Sequence, residues 1–456
     1  MQTQFTLAQL ADPATRESDA ILRACVHCGF CAATCPTYVV LGDERDSPRG
    51  RIYMIKNMLE SGAPADPATV THIDRCLTCL SCMTTCPAGV DYMHLVDHAR
   101  AHIARTYHRP LFDRLMRSAL NLILPHTERS RLALRLGVFA RPIAGLLPRR
   151  IKPLLERAHS AAISPLPVRE GDRGRGSETR GPTLPQPPPV EEGGIRVRRV
   201  ALLTGCVQAT LRPQINEAAI RLLNRRGVEV VIAKGAGCCG ALSHHLSKDA
   251  DALRFAKANI DAWTHEINTA GLEAIIVTAS GCGTMIKDYG HLLRHDSAYG
   301  ERAKRVASLA RDISEFLAEI GIDATSRKEG LKVAYHSACS LQHGQRVNKE
   351  PRELLRAAGF DVREIAEGHL CCGSAGIYNM LEPEISNELL RRKVDNIEHT
   401  GADAIATGNI GCITQIARGT KLPIVHTVEL LDWATGGIIP DELAHLAPPS
   451  PGSRTG

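Results

Sequence analysis

The hydrophobic positions along the chain change period twice, and each change marks a different kind of structure. Up to about Tyr107 they fall at helical spacing between tight cysteine loops. Ser47 suits an N-cap and Pro48 the first helical position, so a helix is predicted from there with its apolar face between Ile52 and Leu59. A second helix is expected near Pro67, and residues 1–20 read as a polar lead-in that turns helical before the first loop. After Pro36 the pattern suggests a short extended piece. Over residues 108–158 leucines alternate with arginines in helical fashion, at Leu111, Leu115, Leu120, Leu122, Leu124, Leu132, Leu134 and Leu136. Pro125, Pro142 and Pro148 divide this region into short helices. Residues 159–195 carry Arg-Gly-Arg-Gly and a proline run, a composition that cannot build a core and reads as a flexible linker.

Past the linker, apolar strands alternate with helices, and the pattern occurs twice. The strand leading to Cys206 matches the one leading to Cys339, and the strand starting at Val228 matches the one at Phe360. The strand starting at Ala274 and ending before Cys282 matches that from Ala404 to Cys412. From the strand-end cysteine to the following Cys-Cys-Gly the offset is 32 residues in both copies. Helical stretches such as Asn216–Arg226 and Pro351–Ala358 lie between strands, which predicts parallel α/β units with room for crossovers. Loops at the carboxyl ends of such strands gather sites, so the four cysteines of each copy are expected on one edge.

The helical first part carries its own chemistry. Cys25, Cys28, Cys31 and Cys35-Pro36, and then Cys76, Cys79, Cys82 and Cys86-Pro87, each read C-x2-C-x2-C-x3-C-P. This is the spacing by which bacterial ferredoxins hold cubane iron–sulfur clusters, the fourth cysteine of each loop serving the other cluster. Carried onto these positions, one [4Fe–4S] cluster takes Cys25, Cys28, Cys31 and Cys86, and the other takes Cys76, Cys79, Cys82 and Cys35. A four-cysteine zinc site, which needs two separated C-x2-C pairs, fits this spacing poorly, and structural disulfides fit it less well still. Arg49 and Arg51 either lie near a cluster, raising its potential, or are solvated at a helix start.

The two repeats supply two further quartets: Cys206, Cys238, Cys239 and Cys282, then Cys339, Cys371, Cys372 and Cys412. With the eight loop cysteines they account for all 16 in the chain. Adjacent cysteines make poor disulfide geometry but can present two thiolates to one site. An additional iron–sulfur centre is the leading reading for at least one quartet. Four-cysteine zinc, a redox-active thiol pair and a metal-free repeat remain open.

Charge and composition add limits. The net charge is +6, yet residues 101–160 alone hold 12 Arg plus Lys against 3 Asp plus Glu, leaving the rest slightly acidic. A basic amphipathic block of this kind can meet a membrane surface or a partner, although leucines at this spacing more often bury against their own chain. No nucleic-acid motif accompanies it. Residues 1–24 hold acids and no continuous apolar run, so no secretory signal is expected. A reducing compartment then favours metal ligation over disulfides. No stretch of about 18 apolar residues predicts a membrane span.

The chain is thus predicted to be an α+β multidomain protein. A mainly helical two-cluster ferredoxin-type domain (1–107) is followed by a basic amphipathic region (108–158), a linker (159–195), two repeated α/β cysteine-rich domains (196–325 and 326–436) and a flexible tail (437–456). Paired cubane motifs followed by two Cys…Cys-Cys-Gly repeats resemble the cysteine-rich-domain family. That family includes heterodisulfide reductase subunits, the anaerobic glycerol-3-phosphate dehydrogenase small subunit and lactate-utilisation proteins. The stretches Ile21–Cys31, Ser47–Tyr53, Thr278–Gly283 and His369–Gly376 are most similar to iron–sulfur subunits of glycolate oxidases.

The resemblance implies a subunit with no catalytic residues of its own, passing electrons from an FAD-binding partner that oxidises glycolate towards quinone or another respiratory acceptor. It implies a hetero-oligomer that is cytoplasmic and peripherally bound to the inner face of the plasma membrane. The chain itself has no flavin fingerprint. Electron transfer for a lactate or glycerol-3-phosphate dehydrogenase, and a thiol–disulfide enzyme like the heterodisulfide relatives, are the alternatives. A non-redox scaffold in which metals only hold the fold is a third. In the heterodisulfide relatives a fifth cysteine follows three residues after the last. Here Met285 and Gln415 stand there, so the unusual noncubane clusters do not carry over. His336 and His369, near Cys339 and Cys371, can act as substitute ligands or stand as surface histidines.

Overall fold

In the computed structural model, residues 1–139, 198–324 and 330–446 are described. The expected linker, Pro142 and Pro148, and the last ten residues lie outside them.

The first part is helical, as its periodicity predicts. Pro13–Ala24, Pro48–Ser61, Pro67–Asp74 and Tyr92–Thr106 pack around a core of Leu22, Ile55, Ile73, Leu95, Val96 and Ile103. Each of these helices has a side-chain cap: Asp12, Ser47, Asp66 and Asp91 accept hydrogen bonds from backbone N–H groups of the first turn. In the second, Gly50 allows a close crossing, because a Cβ there would lie 2.0 Å from the Glu44 carbonyl oxygen. The extended piece expected after Pro36 is a helix, Pro36–Leu41. Proline preset the first-turn φ and Cys35 took the N-cap place, a combination that starts a helix rather than a strand.

Each repeat forms a four-stranded, fully parallel sheet. The first has β1 (Arg198–Leu203), β2 (Val228–Val231), β3 (Ala274–Val277) and β4 (Ala310–Asp312) in the order β2-β1-β3-β4. The second has β5 (Lys332–Tyr335), β6 (Asp361–Glu364), β7 (Ala404–Thr407) and β8 (Ile424–His426) in the order β6-β5-β7-β8. The central strands β3 and β7 are buried along their whole length, as sheets covered on both faces require.

The repeats are not separate beads. One apolar core runs through both, from Val200 and Leu222 to Val333, Ile405 and Leu430. Fully buried Asp432 accepts from Arg221 at 2.7 Å and also pairs with Arg225, tying the second repeat's last helix to the first repeat. The His426 ring meets the Thr278 carbonyl at 2.7 Å. The tail expected to be flexible from 437 is ordered at its start: Asp441–Leu446 forms a 3₁₀ helix, Leu443 is buried, and Glu442 pairs with Arg212. A single apolar anchor and one ion pair hold it, a signal too short for composition to reveal.

Candidate metal centres

The helical domain contains two small cavities, and their linings cross between the loops. One, of about 30 Å³, is lined by Cys25, Cys28 and Cys31 of the first loop together with Cys86 and Cys82. The other, of about 20 Å³, is lined by Cys76, Cys79 and Cys82 of the second loop together with Cys35. The loops repeat one backbone course: His27 and Thr78, then Gly29 and Leu80, all have positive φ at matching places. These left-handed turns curl each loop so that its three thiols face inward.

The donor chemistry suits cationic iron. Burial pushes Cys79 and Cys82 well up, and the neighbouring thiolates add to it; Cys31 rises to about 11 for the same reasons. Four thiolates crowded out of water repel one another, and a bound metal centre removes that penalty.

Arg51 is the cation beside the second cavity. It is fully buried, donates to Cys35 Sγ at 3.7 Å, to Thr37 Oγ1 at 3.0 Å and to the His72 carbonyl at 2.7 Å, and pairs with buried Asp46 at 3.1 Å. Burial works against its charge, but Cys76, Tyr92, Cys35 and Asp46 outweigh it and hold the guanidinium protonated. Arg49 lines the first cavity and pairs with Glu44 at 2.8 Å, so both arginines stand at cluster loops.

In both sheets the cysteines gather at the strand carboxyl ends. Cys206 Sγ lies 3.6 Å from Cys238 Sγ, and Cys339 Sγ 3.7 Å from Cys371 Sγ. The glycine of each Cys-Cys-Gly is required: Gly240 and Gly373 both sit at φ +87°, where a Cβ would press within 2.9 Å of Ala252 O and 2.5 Å of Ser386 O. Cys412 is pulled down, first by its hydrogen bond with Cys372 and then, against burial, by neighbouring His336. His336 is buried rather than on the surface, whereas His369 is only half-buried.

A cavity of about 430 Å³ joins these parts. All four cysteines of each quartet line it, with Cys76 and Leu77 of the second loop, while Leu124, Ala133 and Leu134 of the amphipathic region roof it. Leu77, Cys79, Cys371, Tyr378 and Leu389 share one apolar cluster, so the second loop packs directly on the second repeat.

Comparison with known proteins bears on the whole arrangement. Residues 21–90 match the 4Fe-4S dicluster domain, and residues 200–287 and 333–417 each match the Cysteine-rich domain. Over 434 residues, 95% of this chain and 99% of the relative, the sequence is 40% identical to the glycolate oxidase iron-sulfur subunit of Escherichia coli (strain K12). The chain belongs to the glycolate oxidase iron–sulfur subunit family. A protein of Bacillus subtilis (strain 168) named "Probable glycolate oxidase iron-sulfur subunit" is 32% identical over 441 residues, 92% of this chain and 96% of its own. Lactate utilization protein A from the same organism is 25% identical, but matches only 51% of this chain.

As a member of that family the chain is an iron–sulfur electron-transfer subunit of an oxidoreductase. Among the described residues no helix is long and apolar enough to cross a membrane. Several residues at the family's cluster site escape sequence reasoning. Tyr92 donates to Cys76 Sγ at 3.7 Å, and Arg100 holds the second loop through the Cys76 carbonyl at 2.7 Å and Thr78 Oγ1 at 2.6 Å. Both lie on the helix after the second motif, where nothing in spacing marks them. The absent fifth cysteines have structural substitutes: Met285 is buried in the first repeat's core, and Gln415 bonds Ser386 and Asn379.

Proposed function

We propose that this chain carries electrons from glycolate, oxidised to glyoxylate on an FAD-binding partner subunit, to a quinone or another respiratory acceptor. One [4Fe–4S] cluster is held by Cys25, Cys28, Cys31 and Cys86, the other by Cys76, Cys79, Cys82 and Cys35. The observation that carries this reading is the crossed lining of the two small cavities, on a chain aligned end to end with glycolate oxidase iron–sulfur subunits. Such clusters, when bound, exchange one electron at a time without proton transfer. The protein's part is to bury them and fix their spacing. Arg51 adds the positive charge that favours the reduced state of the second.

The ends of the route have different surfaces. At the first loop Cys28 is exposed and Val26, Phe30 and Tyr53 stand out into solvent, which suits contact with the flavoprotein. The second loop is enclosed by the second repeat and the large apolar cavity, a space suited to a quinone ring. The basic region beside it leaves Leu111, Leu115, Leu122, Leu132 and Leu136 between 57% and 68% exposed, which supports peripheral contact at the inner face of the plasma membrane.

The test is reconstitution with the flavoprotein partners. Complex containing this subunit reduces quinone on addition of glycolate, and complex without it does not. Full quinone reduction without the subunit contradicts the reading. Cys35→Ser should remove the second cluster and spare the first, and Cys86→Ser the reverse.

A further inference from the structure

The cavity beneath the amphipathic region has a mostly apolar wall with one imidazole in it. His245 closes the short helix Ala241–His245 that follows the first Cys-Cys-Gly, and among the described residues it is the one histidine on that wall. Its Nδ1 is buried and has no hydrogen-bonding partner. A buried polar atom left unpaired is costly, and the ring lines the cavity, so a molecule held there is what can complete the pairing. The second repeat shows the contrast. Counted from Cys-Cys-Gly, Tyr378 stands where His245 stands, and its hydroxyl is already engaged with the Arg75 carbonyl at 3.0 Å.

The surroundings point to a ligand with a carbonyl oxygen. The other unpartnered buried atoms on this wall, Gln208 Oε1 and Asn379 Oδ1, are acceptors, whereas an imidazole can donate. Arg100 lines the same cavity while its guanidinium is fixed on the second cluster loop by Thr78 Oγ1 and the Cys76 carbonyl. A donor, a fixed positive charge and a cluster loop thus share one wall. Asp74, Arg117 and Arg418 line the cavity as well.

A path for protons leads to the same ring. Burial, then the charges on Arg100 and His244, pull His245 down to about 4 against the opposing charge of Asp97, so the ring is neutral at pH 7. His244 stays protonated between Asp97 at 3.2 Å and Asp249 at 3.5 Å, and Asp249 is exposed to solvent. The centroids of the two imidazole rings are 6.1 Å apart.

We propose that His245 donates a hydrogen bond to a carbonyl oxygen of a quinone bound in this cavity and delivers the proton that this oxygen takes up on reduction, with Asp249 and His244 as the route from solvent. The proposal rests on the quinone reading of the cavity. Converting a quinone to its quinol takes two electrons and two protons. The electrons arrive singly by way of the second cluster, reoxidising it each time. The negative charge they place on the carbonyl oxygen raises the proton affinity of the neighbouring ring. The ring takes a proton from His244 at one nitrogen and releases one from the other. An N–H bond breaks, an O–H bond forms, and the imidazole ends neutral. Asp249 passes a proton back to His244, and the second quinone oxygen takes its proton from solvent. Arg100 offsets the negative charge in between.

The experiment compares the unaltered complex with His245→Ala, using decylubiquinone and menadione as acceptors beside ferricyanide, which takes electrons without protons. In the variant the ratio of quinone to ferricyanide turnover should fall at least about tenfold, fall further as the pH is raised, and recover when imidazole is added. Heptylhydroxyquinoline N-oxide, a quinol mimic, should bind the variant about tenfold more weakly, read by quenching of its fluorescence. In the unaltered chain carrying nitrogen-labelled histidine, infrared difference spectra should show the mimic shifting an imidazole band. A ratio unchanged in His245→Ala, or lowered without recovery in imidazole, overturns the proposal. So does an unmoved imidazole band, a measurement that needs no variant to fold. An unaltered complex that reduces ferricyanide with glycolate but neither quinone overturns the quinone reading itself and the proposal with it, so the two failures are told apart.

Discussion

The guanidinium of Arg51 answers to four neighbours at once: Cys35, Thr37, Asp46 and the His72 carbonyl. Replacing it by Met leaves fully buried Asp46 with only Arg75 and His72, and breaking a buried pair of this kind costs about 3 to 5 kcal/mol. Anaerobic urea denaturation of Arg51→Met should show that loss, and potentiometric EPR should find the second cluster harder to reduce. An unchanged midpoint and potential would make Arg51 a bystander. At this scale the cysteines were legible because ligation imposes fixed spacing, while Arg51 was legible only as one of two choices. Its partners come from three separate elements, and an arginine in the first turn of a helix is usually solvated. His336 was visible as a candidate close to Cys339, but only the fold shows that it is buried.

Between elements, two histidine–aspartate bridges fasten the cluster domain to the first repeat. His94 lies between Asp91 and Asp288, at 2.6 and 2.9 Å, and stacks on His291 at 3.4 Å; His244 meets Asp97 at 3.2 Å. Burial pulls both histidines down, yet their aspartates outweigh it and hold each at about 10. Because these values lie above the unfolded one, the stabilisation is complete below about pH 6.5 and fades as pH rises towards 10. The melting temperature should therefore fall from pH 6.5 to pH 10, and the double variant Asp97→Asn, Asp288→Asn should be less stable at pH 6.5 and lose most of that slope. An identical slope in the variant would place the titration elsewhere. The cap at Ser47, the helix start near Pro67 and three strands of each sheet were readable from local chemistry. The fourth strands, Ala310–Asp312 and Ile424–His426, were not, because three residues give too little period to count.

For the whole molecule, the repeats' strand–helix alternation gave the parallel sheets, but nothing in it tells that the two quartets and the second cluster loop enclose one cavity. That depends on how the domains dock, through contacts such as Tyr378 Oη to the Arg75 carbonyl at 3.0 Å. If the cavity takes quinone, Ala133→Trp on its roof should raise the quinone KM several-fold with cluster content unchanged, and unaltered quinone kinetics would exclude the cavity. If the exposed leucines bind lipid, Leu115→Glu with Leu122→Glu should release the complex from anionic vesicles in a sedimentation assay, and undiminished binding would exclude that face. The central claim is that electrons from glycolate pass through two clusters held by crossed loops. Rapid-freeze EPR of the intact complex mixed with glycolate tests it most directly. Two magnetically coupled [4Fe–4S] signals should appear at least as fast as turnover and decay when quinone is added. Clusters that stay oxidised, or become reduced more slowly than the complex turns over, would contradict it.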